Sequence, residues 1–194
     1  IGGNVFYDCS SLRTVRITKS IDSSSWFSRL FRKRAVIRTP NYKIAEGALF
    51  DKDMTRLIWC SPKKDSYEIP DTVKVIDQDA FRERKNLKSI IIPDSITVIE
   101  RYAFGNCSEL ESVTIPSSVT FIGRYTFSGC SSLTSIIIPN SVVSISEWTF
   151  EDCKSLVSVV IPNSIISISC CAFANCSALK SITIPDSVIS IESH

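Results

Sequence analysis

Histidine occurs once in this chain of 194 residues, and glycine only six times. Nucleophilic catalysis through serine or cysteine needs a positioned base, and the one histidine, His194 at the chain end, is a poor one. The six glycines fall in neither GxGxxG nor P-loop order, so no phosphate-cradling loop is present. The carboxylate pairs Asp77/Asp79 and Glu151/Asp152 fall in turn-like segments and are expected to be solvated. No catalytic residue, no cofactor and no metal site is therefore expected. Long apolar runs are missing too: no stretch of about 18 uninterrupted apolar residues exists to span a membrane. The net charge of +2 is too small for a general polyanion binder. Its distribution is uneven, with 13 Lys/Arg against 7 Asp/Glu in residues 1–69 and 9 against 13 in residues 70–194. The chain opens at Ile1 without methionine or a signal-like apolar core, so it does not say whether a targeting segment was removed.

What the chain has is repetition. Pro70, Pro93, Pro116, Pro139, Pro162 and Pro185 are spaced by 23 residues, and an isoleucine precedes each one. Phe81, Phe104, Phe127, Phe150 and Phe173 keep the same step. So do Leu87, Leu110, Leu133, Leu156 and Leu179. Cys107, Cys130, Cys153 and Cys176 form a fourth column, with Arg84 in place of its first member. Columns in register over five copies are the mark of a solenoid.

The spacing within one repeat gives it a shape. In Leu87–Pro93, Ile90 and Ile92 lie two apart and share one face of a strand. Proline has no N–H and ends that strand. The following Asp-Ser, Ser-Ser or Asn-Ser pair favours a turn through local bonds from side chain to backbone. A second extended piece, such as Val119–Ile122, turns Val119 and Ile122 inward. The segment "TFSGCSSL" is too short and too rich in serine and glycine for an α-helix, and reads as a 3₁₀-like turn. One repeat cannot bury its roughly seven apolar side chains alone, but stacked windings can, at about 1.5–3 kcal/mol per large side chain. The expected fold is a solenoid of 23-residue repeats; Leu-x-x-Ile-x-Ile resembles a leucine-rich repeat strand, and that resemblance implies a leucine-rich repeat solenoid wound as a right-handed coil. It is mainly β, with a parallel concave sheet and short 3₁₀ or turn segments on the convex side. It forms a single domain over 1–194: a partial repeat at 1–18, an irregular longer repeat with a β-hairpin at 19–69, five regular repeats over 70–184 and a partial repeat at 185–194.

The pattern Ile-Pro-x-Ser-Val-x-x-Ile-x-x-x-Ala/Thr-Phe-x-x-Cys-x-x-Leu-x-Ser-Ile/Val resembles the BspA-type leucine-rich repeat family over residues 70–194. "VFYDCSSLRTVRIT" (5–18) is a further partial copy. The resemblance implies bacterial or protist proteins, secreted or on the cell surface, that attach to host or microbial partners. A periplasmic place is the alternative.

Residues 19–69 break the rule of 23. "ALFDKDMTRLIW" reads as a hairpin pairing Ala48–Phe50 with Arg56–Trp59. Upstream, Trp26, Phe27, Leu30 and Phe31 sit at helical spacing among Arg29, Arg32, Lys33 and Arg34. This cluster reads either as a secondary contact for an interface or an acidic partner, or as a short amphipathic segment packing its aromatics on the solenoid flank. The cysteines of the ladder read as buried, reduced thiols. Adjacent members one winding apart would hold their Cβ atoms about 4.8 Å apart, wider than a disulfide's roughly 3.8 Å. Cys170, Cys171 and Cys176 lack zinc spacing. The two Asn-Cys-Ser sequons, at Asn106 and Asn175, read as turns before a buried cysteine.

The strand register also predicts an outward face. It carries Ser89, Ile91, Ser112, Thr114, Thr134, Ser135, Ile137, Val157, Ser158, Val160, Ser181 and Thr183. Serine keeps this face smooth and the β-branched column makes it partly apolar. The expected function is a non-catalytic protein-interaction or adhesion module that binds a protein partner here, with no nucleic acid. Alternatives are a carrier of a hydrophobic ligand such as lipid, or a periplasmic or intracellular scaffold. Residues 185–194 stop near the middle of a repeat, and an uncapped end predicts self-association or missing chain.

Overall fold

The structure, a computed structural model, describes residues 42–60 and 65–192, together with the backbone of two short parallel strands, β1 (Thr14–Arg16) and β2 (Val36–Arg38). Three antiparallel strands follow: β3 (Tyr42–Ala45), β4 (Ala48–Asp51) and β5 (Arg56–Cys60). The β4–β5 hairpin is the one expected. Its turn is closed by Asp51, whose carboxylate accepts from the Thr55 N–H (2.7 Å), the Thr55 hydroxyl (2.7 Å) and the Arg56 N–H (2.9 Å). β3 was not expected. It joins through Glu46 and Gly47, both at positive φ (49° and 79°), the backbone of the tight turn that suits hairpin twist.

From here the chain winds regularly, each winding contributing two short strands. One kind comprises β6 (Ser66–Glu68), β8 (Ser89–Ile91), β10 (Ser112–Val113), β12 (Ser135–Ile137) and β14 (Ser158–Val160). β6, β8 and β10 pair in parallel, as do β12 and β14. Thr134 N–H to the Glu111 carbonyl (3.4 Å) links the two groups. The other kind comprises β7 (Val75–Ile76), β9 (Val98–Ile99), β11 (Phe121–Ile122), β13 (Ser144–Ile145), β15 (Ser167–Ile168) and β16 (Ser190–Ile191). The hairpin does not stand apart, because β5 pairs in parallel with β7 and so fills the place of a second-kind strand.

The interior follows the columns. Phe81, Phe104, Phe127, Phe150 and Phe173 stack with centroids 5.2–5.6 Å apart and planes within 13° of parallel. Leu87, Leu110, Leu133 and Leu156 are buried beside them. Each ladder thiol donates to the carbonyl of a phenylalanine on the preceding winding: Cys107 to Phe81 (3.1 Å), Cys130 to Phe104 (3.3 Å), Cys153 to Phe127 (3.3 Å) and Cys176 to Phe150 (3.1 Å). Where the column begins with Arg84, the guanidinium Nε donates instead to the Cys60 carbonyl (2.6 Å) and lies over the Trp59 ring.

Two local expectations need correction. The serine after Ile-Pro-x does not close its own turn; the Pro carbonyl does that, accepting the N–H three residues on in all six copies (3.0–3.1 Å). The serine hydroxyl reaches the preceding winding: Ser95 to Val73 (2.6 Å), Ser118 to Ile96 (2.7 Å), Ser141 to Val119, Ser164 to Val142 (2.7 Å) and Ser187 to Ile165 (2.7 Å). The opposite side of each winding carries the expected short turns, closed by bonds three residues apart such as Cys107 N–H to the Phe104 carbonyl (3.1 Å). Left-handed residues recur there in pairs four apart: Asp79/Glu83, Tyr102/Asn106, Tyr125/Gly129, Trp148/Asp152 and Cys171/Asn175. This geometry aims alternate N–H groups at the next winding. Tyr102, Phe104 and Asn106 donate to Arg124, Thr126 and Ser128 (3.1, 2.9 and 2.7 Å). These bonds offset the roughly 1–2 kcal/mol that a left-handed L-residue costs. Asp77 and Asp79 are not freely solvated either, since they pair with Arg56 (3.2 Å) and Arg82 (3.1 Å) and are largely covered.

Candidate partner-binding face

Because Ile90, Val113 and Ile136 point into the core, their neighbours on the first strand of each winding must point out. All twelve residues expected on this face are exposed. The apolar ones are open to an unusual degree: Ile91 60%, Ile137 66%, Val157 59% and Val160 50%. Pairing in register sets Ser135 beside Ser158 and Ile137 beside Val160, so the last two form one continuous apolar step. Ile91 is separated from them by Thr114. The face also begins one winding earlier than expected, since Glu68 pairs in register with Ile91 and is likewise exposed. The 23-residue step carried this signal, but the irregular sequence before Pro70 obscured it. The cluster Trp26, Phe27, Arg29, Phe31, Arg32, Lys33 and Arg34 lies outside the described residues, as do Cys9 and His194.

A second apolar strip was missed. Immediately before β13, β15 and β16, Val143, Ile166 and Ile189 are exposed at the same 23-residue step, and Phe121 on β11 is exposed one register position on. In sequence, β-branched residues at these places look the same as those that fill the core. Across the winding, Tyr102, Tyr125 and Trp148 stack half-exposed (4.5 and 5.9 Å), capped by the Arg82 guanidinium 4.3 Å from the Tyr102 ring.

The thiols offer no reactive centre within the ladder. Burial pushes Cys60 and Cys107 up to about 12 and pushes Cys130, Cys153 and Cys176 up as well. At pH 8 a thiol near 12 is thiolate in about one molecule in 10⁴, and the thiolate is the nucleophile. The seven described cysteines are thiols, and among them only Cys171 is not buried. Brief iodoacetamide treatment of the native protein at pH 8 should therefore label Cys171 alone among these seven. Equal labelling of Cys130 in a peptide mass map would show that the ladder is not closed. Among the described residues no group of three or more His, Cys, Asp or Glu is placed to hold a metal. No described helix is long and apolar enough to cross a membrane.

The family model for the BspA type leucine-rich repeat region matches in six copies, over residues 1–52, 58–176 and 143–194. Among solved structures, a leucine-rich cell surface protein from Faecalibacterium prausnitzii is 28% identical, with a TM-score of 0.73 over 92% of this chain and 47% of that one. A leucine-rich repeat protein from Eubacterium ventriosum is 24% identical, with a TM-score of 0.67 over 93% of this chain and 57% of that one. One from T. pallidum is 22% identical, with a TM-score of 0.58 over 77% and 80%. The last two likenesses concern the fold alone. The chain spans about half the length of the first two structures. No curated protein matches it.

Proposed function

Since this chain belongs to the BspA-type leucine-rich repeat family, we propose that it is a non-catalytic binding module that holds a protein partner on the exposed face of its first-kind strands, at the cell surface or in a secreted protein. The observation that carries this reading is the apolar step of Ile137 and Val160, bordered by Val157 and by unbroken serine columns, on a surface whose backbone is fixed by bonds between windings. An apolar patch rimmed by polar residues marks a contact site, and a rigid face gives up little entropy on binding. The 28%-identical relative is described as a cell surface protein, which supports the proposed location.

The test is a pair of variants, Ile137→Asp and Val160→Asp. Both sites are exposed, so the thermal midpoint should move little. Proteins retained on the immobilised parent should be retained at least about tenfold less well by the variants, the range expected for a central contact residue. Identical retention by folded variants would rule this face out, and a co-purifying lipid found by mass spectrometry would favour the carrier instead.

A further inference from the structure

The first regular windings hold a groove of about 420 Å³, lined by Glu68, Asp71, Ile91, Pro93, Asp94 and Ser95. Ser95 is already committed, its hydroxyl donating to the Val73 carbonyl. The three carboxylates are not: among the described residues no cation lies within ion-pair distance of Glu68, Asp71 or Asp94. Three other carboxylates of the chain do have such a partner, Asp77 with Arg56, Asp79 with Arg82 and Glu147 with Arg124. Asp65 and Glu111, also exposed, flank this end of the face, with Lys88 between them in the register. Two windings on, the corresponding positions are Thr134, Ser135, Ile137 and Asn140, then Val157, Ser158, Val160 and Asn163, with no charge. The face thus runs from an acidic groove with an apolar floor to a neutral apolar step.

Carboxylates around a low-dielectric floor attract a cation and repel an anionic partner. Resting on the face proposed above, we propose that its occupant is a basic polypeptide segment. An Arg or Lys side chain seats among Glu68, Asp71 and Asp94, and the apolar side chains that follow lie on Ile137 and Val160. Windings about 4.8 Å apart put the groove, between the windings of Glu68 and Ile91, about 14 Å from the centre of the apolar step, between those of Ile137 and Val160. An extended chain covers this distance in four to five residues at about 3.3 Å each. The recognised pattern is therefore a cation followed four or five residues later by a large apolar residue.

Fluorescence anisotropy with three labelled synthetic peptides tests this. One peptide carries two arginines, a three-serine spacer and two leucines; a twin has glutamates for the arginines; a third has serines for the leucines. The parent protein should bind the first peptide and prefer it to both others, and raising salt from about 0.1 to 1 M should reduce the preference over the glutamate twin as screening shortens from about 10 to 3 Å. Glu68→Gln/Asp71→Asn/Asp94→Asn should weaken binding about tenfold, three exposed ion pairs each giving a factor of about two. Asp53→Asn/Glu109→Gln/Glu192→Gln removes the same charge at exposed sites away from the groove and should leave binding unchanged. Equal binding of the arginine and glutamate peptides, or equal weakening by both triple variants, overturns the proposal. If Ile137→Asn and Val160→Asn weaken the leucine-bearing peptide while the groove variant does not, the charge inference falls and the face stands. If only the groove variant acts, the apolar half of the proposal falls together with the face it rests on.

Discussion

Phe127→Ala should destabilise the protein by about 3–5 kcal/mol. The ring is fully buried, stacked 5.3 Å from Phe104 and 5.6 Å from Phe150. A cavity costs least where its walls can collapse, and here they cannot follow. The winding above is tied to Phe127 through its N–H and the Thr149 carbonyl (2.9 Å), and the winding below through Phe104 N–H and the Thr126 carbonyl (2.9 Å). At roughly 2–4 °C per kcal/mol for a chain of this size, the midpoint should fall by about 6–20 °C. Phe121, six residues earlier on the second-kind strand β11, is 46% exposed. Phe121→Ala should cost no more than about 1 kcal/mol. Equal effects in the two variants, measured by thermal or urea unfolding, would mean that the aromatic column is not the interior. The loss should also be felt locally: each winding touches only its neighbours, so the array is weakest at the damaged junction.

That contrast between two phenylalanines also shows how the fold could be read from the sequence. Phe127 belongs to a column of identical residues at a step of 23, and such a column is buried because each member stacks on the last. Phe121 belongs to no such column, and its exposure followed from the inward turn of Val119 and Ile122 on either side. The outward face was legible for the same reason: once Leu133, Ile136 and Ile138 are inside, Thr134, Ser135 and Ile137 have nowhere else to go. What the sequence hid were relations between windings. The Ser118 hydroxyl could have bonded its own turn or the winding before, and residue type does not distinguish the two. The left-handed column Glu83, Asn106, Gly129, Asp152 and Asn175 was half visible, because Asn, Asp and Gly favour that conformation. Its companion column gave that signal only at Asp79, since Tyr102, Tyr125, Trp148 and Cys171 adopt the conformation only when bonds to the next winding enforce it. The partners of Asp77 and Asp79 were hidden similarly: Arg56 reaches Asp77 from the irregular hairpin, outside the repeat register.

The same division between a fixed interior and an open surface lets such a chain vary its outward face without losing its shape. Most bonds between windings use backbone carbonyls with serine, threonine or cysteine donors, or backbone N–H groups, and the rest use Arg84, the Ser128–Glu151 pair and the ion pairs Arg56–Asp77 and Arg124–Glu147. None of them uses the side chains at the column of Glu68, Ile91, Thr114, Ile137 and Val160. That column changes from acidic to apolar to hydroxyl while its neighbours Ile90, Val113 and Ile136 stay aliphatic and inward. If the proposed face binds the partner, substitution there changes what is recognised at little cost in stability.

The interior thiols make the protein sensitive to alkali. Cys60, Cys107, Cys130 and Cys153 are buried in the folded chain, and burial holds each well above its unfolded value of about 8.5. A group whose pKa is raised by folding contributes stability that is complete below the unfolded pKa and is lost as pH rises toward the folded one. The window therefore opens near pH 8.5 and, for Cys60 and Cys107, extends to about 12. At pH 10 each unfolded thiol is stabilised as thiolate by about 2 kcal/mol, so four together favour unfolding by about 8 kcal/mol. That matches the whole stability of a typical domain, about 5–15 kcal/mol. Circular dichroism in the presence of reductant should show stability unchanged from pH 6 to 8 and cooperative unfolding near pH 10. Tyr67, also pushed up by burial, adds to the loss only above about pH 10, where a free phenol ionises. The triple variant Cys107→Ala/Cys130→Ala/Cys153→Ala separates this cause from others. At pH 7 it should be less stable by about 1 kcal/mol per lost sulfur, and at pH 10 it should be spared about 6 kcal/mol of the alkaline penalty. The two stability curves should cross near pH 9. Parallel curves, or a parent that stays folded at pH 10.5, would mean that these sulfurs do not lie in a closed interior column.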